Sequence, residues 1–449
     1  MSGAFRGRRF LVVGMGVAGR AVARVLAEEG AVVRVSEARA DVPGSEELAA
    51  LGVDVRLGGH EPEHLDGVDA VVPSPGIPEG APVLRWARQR GVPIWSELDV
   101  GAELCSVPYV VITGTNGKTT TTSLVASMLR AAGLRATACG NIGHPFAIAA
   151  REGYDALAVE ASSFQLRFHR SLRPRVSVLL NLAPDHLDWH GSLEAYGAAK
   201  ARVYALQGAD DVHVGNAEDA AAAALSRGAP CRLVWFRSGP PREGEVGVVD
   251  DVVVARLGEE GVELGRPRTS SAGFVADCAA AAAAALAFGL EPSAIAAGMA
   301  GVEPLPHRGE EVARIGGVRF VDDSKATNVH AALHALRNRR DVVLIAGGVA
   351  KGVDLSPLRG AAPSLAGVVA IGAAAPEILA LFRDLVPVGS ADSIEEAVRL
   401  AHAMAPPEGT VLLAPACASW DMFRDYVERG ERFAAAVRAL REEVIRARP

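Results

Sequence analysis

The stretch VVITGTNGKTTTTSLVA, residues 110–126, runs from apolar residues into two glycines, a lysine and a series of threonines. Gly114 and Gly117 let the backbone turn so that successive N–H groups face inward, a nest for anionic oxygens. Lys118 adds a positive charge, Thr119 can offer its hydroxyl to Mg²⁺, and Thr115, Asn116 and Thr120 belong to the same polar loop. From Thr120 onward the spacing of Leu124, Val125, Met128 and Leu129 predicts a helix whose N-terminus faces the phosphates. Strand, loop and helix together read as a nucleoside triphosphate site. The loop is short, because the usual pattern has a glycine five residues before Gly117 and Ile112 stands there.

A second glycine turn, GMGVAG, sets Gly14, Gly16 and Gly19 at the spacing of the dinucleotide fingerprint, with Glu37 on the following strand. Taken alone it suggests NAD with Glu37 on a ribose. Any phosphate-bearing nucleotide compound could use the same turn and helix N-terminus, so the motif reads as a nucleotide-like ligand site.

Other candidates sit at strand ends. Glu160, in ALAVEASSFQL, directly follows an apolar run, where a carboxylate is well placed to hold a metal. His186, in NLAPDHLDWH, repeats that geometry; the segment is a loop, so a zinc site with His190 is not expected. In SLEAYGAAKARVYAL, Lys200 shares a helical stripe with Leu193, Tyr196, Val203 and Tyr204. A lysine facing a core is costly. Either its ammonium snorkels to solvent past Tyr196, or it points into the site, chemically modified. Further on, VDDSKATN (Asp323, Ser324, Lys325, Thr327, Asn328), GGVAKG (Lys351) and APACASWDMF (Ser419) each place polar groups at a strand end. Two lysines and a serine at one sheet edge suit a small dianionic substrate. His307-Arg308 could be a linker charge pair or a phosphate clamp.

The elements that must position these groups are strands alternating with helices along nearly all of the 449 residues. That alternation implies mainly parallel sheets with helices on both faces. The segment PPREGEVGVVDDVVVARLGEEGVELG alternates like small hairpins. Boundaries near residues 96 and 303 give three α/β domains, 1–96, 97–302 and 303–449. With 49% hydrophobic and 22% charged residues the chain can bury real cores. A net charge of −7 argues against nucleic acid as a partner. Five scattered cysteines without a C-x-x-C pair fit a reducing cytoplasm. The N-terminus does not read as a signal peptide, and CAAAAAAALAFGL is too short to span a bilayer, so a cytoplasmic protein without a membrane partner is expected.

Taken in order, GMGVAG, SPGI, GTNGKTT, GNIG, EASSFQL, DHLDWH, YGAAKARVY, LPHR, DDSKATN, GGVAKG and PACASWDMF resemble the Mur ligases of peptidoglycan synthesis across essentially the whole chain. The resemblance implies a Rossmann-like N-terminal domain for a UDP substrate, a P-loop ATPase-like central domain and a Rossmann-like C-terminal domain for an amino acid. SSFQL, DSKATN and PACAS resemble the members that add D-glutamate to UDP-N-acetylmuramoyl-L-alanine, using ATP to form an acyl phosphate. By that resemblance Gly114 to Thr120, Arg308 and Asp323 would bind ATP. Thr119 and Glu160 would hold one Mg²⁺, and His186 a second together with Lys200, carbamylated by CO₂. Val17, Ala18, Glu37, Ser74, Gly76, Asn141, Ser162 and His186 would hold the UDP substrate. Thr327, Lys351, Ser419, Trp420 and Tyr426 would bind D-glutamate. Lys118, Glu160, His186, Lys200 and Lys325 would be the catalytic set, and a monomer is expected.

The sequence departs from the family in places. The H-N-x-x-N stretch that contacts adenine is absent, with Asp277 where its second asparagine is expected. GGVAKG lacks the usual acidic residue, and Glu37 replaces an aspartate. Folylpolyglutamate synthetases share GTNGKT but lack the GMGVAG domain. An NAD-dependent dehydrogenase would leave the P-loop and Lys200 unused, and a nucleotide-binding regulator would need neither Glu160 nor Lys351 and Ser419.

Overall fold

The computed structural model describes residues 3–256, 261–269, 271–303, 305–337 and 339–446. Three sheets carry the chain. The first holds β1 (Arg9–Val13), β2 (Val32–Glu37), β3 (Asp54–Leu57) and β4 (Ala70–Pro73) in the order β3-β2-β1-β4, all parallel. Strand β1 reads RFLVV because both its faces are covered: Phe10 and Val12 enter one core cluster, Leu11 and Val13 another. The parallel order puts the C-terminal ends of β1, β2 and β4 side by side.

The second sheet has nine strands: β5 (Tyr109–Thr113), β6 (Ala136–Gly140), β7 (Ala156–Glu160), β8 (Val176–Leu179), β9 (Val212–Asn216), β10 (Arg232–Phe236), β11 (Glu245–Val249), β12 (Val252–Ala255) and β13 (Val262–Gly265). Their order is β13-β12-β11-β10-β9-β8-β5-β7-β6; the segment read as hairpins adds the antiparallel edge β11-β12-β13 to the parallel remainder. Strand β5 lies between β8 and β7, every residue buried.

The third sheet holds β14 (Glu310–Ile315), β15 (Val318–Asp322), β16 (Val342–Gly347), β17 (Leu365–Ile371), β18 (Val388–Ala391) and β19 (Thr410–Leu413), ordered β14-β15-β19-β16-β17-β18 with only β14 antiparallel. In β16, Val342, Leu344 and Ala346 face one cluster and Val343 and Ile345 the other, the period-2 signature of a strand covered on both sides.

The helices that matter to the site are α1 (Val17–Glu28), α2 (Glu97–Leu104), α3 (Lys118–Ala131), α4 (Ser163–Phe168), α5 (Leu193–Ala201), α6 (Ala272–Phe288) and α7 (Tyr426–Arg446). Helix α3 starts at Lys118, two residues before the position the apolar spacing gave. A polar first turn carries no periodic signal, whereas Gly117 at φ +86° supplies the left-handed residue that starts the helix. The alanine-rich run forms α6, its residues Cys278–Ala285 almost wholly buried.

The chain forms two compact units that are not contiguous in sequence. One takes in Met1–Leu182, Glu194–Arg268 and Val275–Glu303 and contains the first two sheets. The other takes in Ala183–Leu193, Thr269–Phe274 and Pro304–Pro449 and contains the third.

Candidate active site

In the first unit the phosphate loop leaves β5 directly. Ile112 cannot be a loop glycine here because it is a buried strand residue, paired with Val178 on one side and Glu160 on the other. Asn181, just past β8, braces the loop: its Oδ1 accepts from Asn116 N (2.8 Å), its Nδ2 donates to Asn116 O (3.1 Å), and its carbonyl accepts from Thr115 N (3.1 Å). Lys118 Nζ donates to the carbonyl oxygens of Gly114 (3.1 Å) and Thr115 (2.9 Å). A Cβ at Gly117 would run into the Asp277 carboxylate, so α6 brings an acidic group against the loop where the resemblance expects an asparagine.

Glu160 ends β7 beside the start of that loop, since its register partner on β5 is Ile112. It is 3% exposed. Asn141 Nδ2 donates to its Oε1 at 2.9 Å and Asn141 N to its backbone oxygen at 2.9 Å. Its Oε2 is buried with no hydrogen-bond partner among the described residues. A buried, one-sided carboxylate at the end of the strand beside β5, from which the phosphate loop leaves, fits a hard divalent cation. Among the described residues no group of three or more His, Cys, Asp or Glu could hold a metal.

Lys200 is 1% exposed and does not reach solvent. Its Nζ donates to Gly114 O at 2.7 Å and lies 4.4 Å from the Tyr196 ring centroid. Of the two readings of the stripe, snorkelling is excluded. The lysine points at the phosphate loop.

The first sheet's strand ends enclose a cavity of about 330 Å³ whose lining includes Val17, Ala18, Glu37, Ser74 and Gly76, five residues proposed for the UDP substrate. Arg39 and His60 line it too and had no motif to announce them. Glu37 Oε2 accepts from Met15 N at 2.7 Å, and Arg39 grips the carboxylate with Nε (3.0 Å) and Nη2 (3.1 Å). The Arg39 side-chain bonds, outweighing burial and helped by the Met15 and Arg39 amides, hold the Glu37 pKa down to about 2. Ser162 caps α4, and Gln165 Oε1 accepts from Ser162 N and Oγ, each at 2.7 Å. Gln165 Nε2 in turn donates to Glu97 Oε1 at 2.5 Å. Burial pushes Glu97 up to about 7, against that bond.

In the second unit, adjacent strands β15, β19 and β16 bring DDSKATN, PACASW and GGVAKG to one sheet edge, as their strand-end positions suggested. Lys325 Nζ lies 3.9 Å from the Tyr426 ring centroid. Ser419 is buried whereas Trp420 is 65% exposed. Lys351 is not an isolated cation: its Nζ pairs with Asp185 Oδ1 at 2.6 Å, both side chains buried. Asn328 Nδ2 donates to the other oxygen at 3.3 Å. Burial pushes the Asp185 carboxyl up, but Lys351 and His186 outweigh it and leave the pKa below the usual range. His186, whose Nε2 is 3.7 Å from Asp185 Oδ2, belongs to this unit, while Thr119, Glu160 and Lys200 belong to the first. Arg308 and Asp323 are near enough to interact; burial pushes Asp323 up to about 7, against the pull of the Arg308 charge. Thr327 closes the loop after Lys325, its N–H donating to Lys325 O at 2.8 Å. His186, His307, Lys351 and Ala416 all take left-handed φ, between +54° and +62°. Such backbone strain gathers at functional loops.

The family model described as "Mur ligase MurD-like, N-terminal domain" matches residues 8–96, "Mur ligase middle domain" residues 112–240, and "Mur ligase, glutamate ligase domain" residues 307–417. The UDP-N-acetylmuramoylalanine--D-glutamate ligase of Frankia casuarinae is 46% identical over 96% of this chain and 93% of its own length. That of Thermobifida fusca is 44% identical over 97% and 99%. Among solved structures, a pseudomurein peptide ligase type C from Methanothermus fervidus has a TM-score of 0.61 at 18% identity, covering 97% of this chain and 100% of that one. MurF ligase from Thermotoga maritima in complex with ADP has a TM-score of 0.58 at 15% identity, covering 99% and 97%. At such identities the structural likeness is one of fold. The sequence relatives go further, because the similarity spans nearly the full length of both chains at well over a third identity: the chain belongs to the Mur ligase family, among the UDP-N-acetylmuramoylalanine--D-glutamate ligases.

Proposed function

We propose that this chain joins D-glutamate to UDP-N-acetylmuramoyl-L-alanine at the expense of ATP, as the names of its relatives state for them. A carboxylate is a poor electrophile. The substrate carboxylate attacks the γ-phosphate of ATP, ADP leaves, and the acyl phosphate then loses phosphate to the incoming amine through a tetrahedral intermediate. The observation that carries the chemistry is the seat of Glu160, buried beside the phosphate loop with one oxygen unsatisfied among the described residues.

A Mg²⁺ ion there would supply positive charge to crowded phosphate oxygens. Thr119 and Glu160 are the residues that would hold it. Lys118, with the loop amides from Gly114 to Thr120, would hold the triphosphate, and Asn141 fixes the rotamer of Glu160. Carbamylation of Lys200 would turn a buried cation beside the loop into an oxygen donor; His186 is the proposed partner for that second ion. In the second unit, Arg308, Asp323 and Lys325 are assigned to ATP and the phosphoryl group. Thr327, Lys351, Ser419, Trp420 and Tyr426 are assigned to D-glutamate, with Asp185 fixing Lys351. The cavity holding Glu37, Ser74 and Gly76 is assigned to UDP, and Asn141 and Ser162 to the muramoyl end.

The reading includes three domains with boundaries near 96 and 303, and a monomeric cytoplasmic enzyme with neither nucleic acid nor membrane as partner. Among the described residues no helix is long and apolar enough to cross a membrane. The test is phosphate release from ATP in the presence of UDP-N-acetylmuramoyl-L-alanine, with and without D-glutamate. Release should require D-glutamate; equal release with L-glutamate would overturn the substrate assignment.

A further inference from the structure

Arg429 is 1% exposed, in the second turn of α7. A guanidinium is expensive to remove from water, and an apolar side chain would fill the same space at no such cost. What distinguishes Arg429 is where its donors go. Nε donates to Ser324 Oγ (3.0 Å), Nη2 to Ser324 O (2.9 Å) and Nη1 to Cys417 O (3.2 Å). Ser324 lies one residue before Lys325; Cys417 lies two before Ser419 and next to the strained Ala416. One planar side chain therefore ties together the two loops that leave the adjacent strands β15 and β19.

The network continues from Ser324. Its Oγ donates to Tyr426 O (2.7 Å) and its N–H to Asp322 Oδ1 (2.9 Å), while Asp322 Oδ2 meets His307 Nδ1 at 2.7 Å. Helix α7 fits against that pair at the next residue, Gly430, where a Cβ would strike the His307 ring and the Asp322 carboxylate. The backbone is held on either side of Arg308: the His307 carbonyl accepts from Lys325 N at 3.1 Å, and Gly309 N donates to Asp322 O at 2.9 Å.

We infer that Arg429 is a positioning residue for the amino-acid-binding and phosphoryl-facing loops, setting Lys325, Ser419 and Arg308 from a helix that carries none of them. This inference rests on the assignment of those loops in the proposed function. A displacement of about 1 Å at a reacting centre can cost on the order of a hundredfold in rate, so loosening the tie should register in kinetics before it registers in folding.

The test measures steady-state kinetics of the full chain for Arg429→Met, Arg429→Lys and Ser324→Ala, with thermal unfolding alongside. Arg429→Met is expected to raise KM for D-glutamate about tenfold or more, or to lower kcat comparably, with KM for the UDP substrate within about twofold, because that cavity lies in the other compact unit. Arg429→Lys, which keeps a charge but cannot reach both loops with a planar fork, should recover only part of the loss. Should Arg429→Met not fold, Ser324→Ala removes the Nε contact while leaving the buried charge, and is expected to show the same split. Folded variants with unchanged constants, or with equal losses for all substrates, would overturn the inference. Wild-type protein that releases no phosphate in response to D-glutamate would instead overturn the functional assignment.

Discussion

The side-chain amide of Asn141 donates a 2.9 Å hydrogen bond to Oε1 of Glu160, while Oε2 of the same carboxylate is buried with no hydrogen-bond partner among the described residues. One oxygen is held and the other is reserved. Replacing Glu160 or Lys118 with alanine should lower kcat by roughly a hundredfold or more, the scale for losing a group that stabilises transition-state charge. Asn141→Ala should act through the metal instead, raising the Mg²⁺ concentration for half-maximal activity roughly tenfold to a hundredfold. Full-speed turnover by the Glu160 or the Lys118 alanine variant would end the proposal that this is the phosphoryl-transfer site.

Lys200 offers a second check. Its buried position beside Gly114 O suits a carbamate, which keeps one N–H for that carbonyl and gains two oxygens. Incubation with carbon-13-labelled bicarbonate should give a carbamate resonance in the wild type that disappears in Lys200→Met. An active, magnesium-loaded enzyme whose intact mass shows no carbamate would refute the modification.

The Glu37 cavity separates a uridine ligand from a nicotinamide one. With its pKa near 2, Glu37 is ionised at every working pH, and its bonds to Met15 N and Arg39 shape the cavity wall. UDP at a hundred times its Kd should add about 2.7 kcal/mol of stability, seen as a rise in Tm, whereas NADH should add none. Arg39→Ala should raise KM for the UDP substrate about tenfold, equivalent to about 1.4 kcal/mol. Stabilisation by NADH alone would revive an oxidoreductase reading.

Glu97 makes a prediction in pH. Its carboxyl titrates near 7 in the fold against an ordinary value of 4.5, so between those values the native state binds a proton that the unfolded chain has released. Stability must fall as pH rises across that window, by about 3 kcal/mol in total, and level off above it. Asp99 and Asp323 are also raised, so the informative quantity is a difference between proteins. The Tm of Glu97→Gln relative to wild type should climb between pH 5 and pH 8. A difference that stays flat would show that Glu97 is not a buried neutral acid.

Much of this architecture was legible in residue order alone. Glycines at Gly14, Gly114 and Gly117 specify backbone turns that few other residues allow. Continuous apolar runs before them mark strands buried on both faces, and polar groups collected after such runs mark the ligand-facing edge of a parallel sheet. These are local signals, carried within some twenty residues, and they named the phosphate loop, the Glu37 cavity and the three polar loops of the last sheet. The start of α3 escaped because its first turn is polar and has no apolar period.

The pairings that hold the functional groups are long-range and left no such trace. Asp185 meets Lys351 across 166 residues, Gly114 meets Lys200 across 86, and Ser324 meets Arg429 across 105. The chain's order gives each charge but not its partner, because which two strand ends become neighbours depends on sheet order, here β8-β5-β7 and β15-β19-β16. Sequence therefore determined which chemistry the residues can do. Tertiary structure alone decided which lysine is neutralised by a carboxylate, which is turned on the phosphate loop, and which glutamate keeps an oxygen in reserve, since burial and hydrogen bonding act only between groups that folding has brought together.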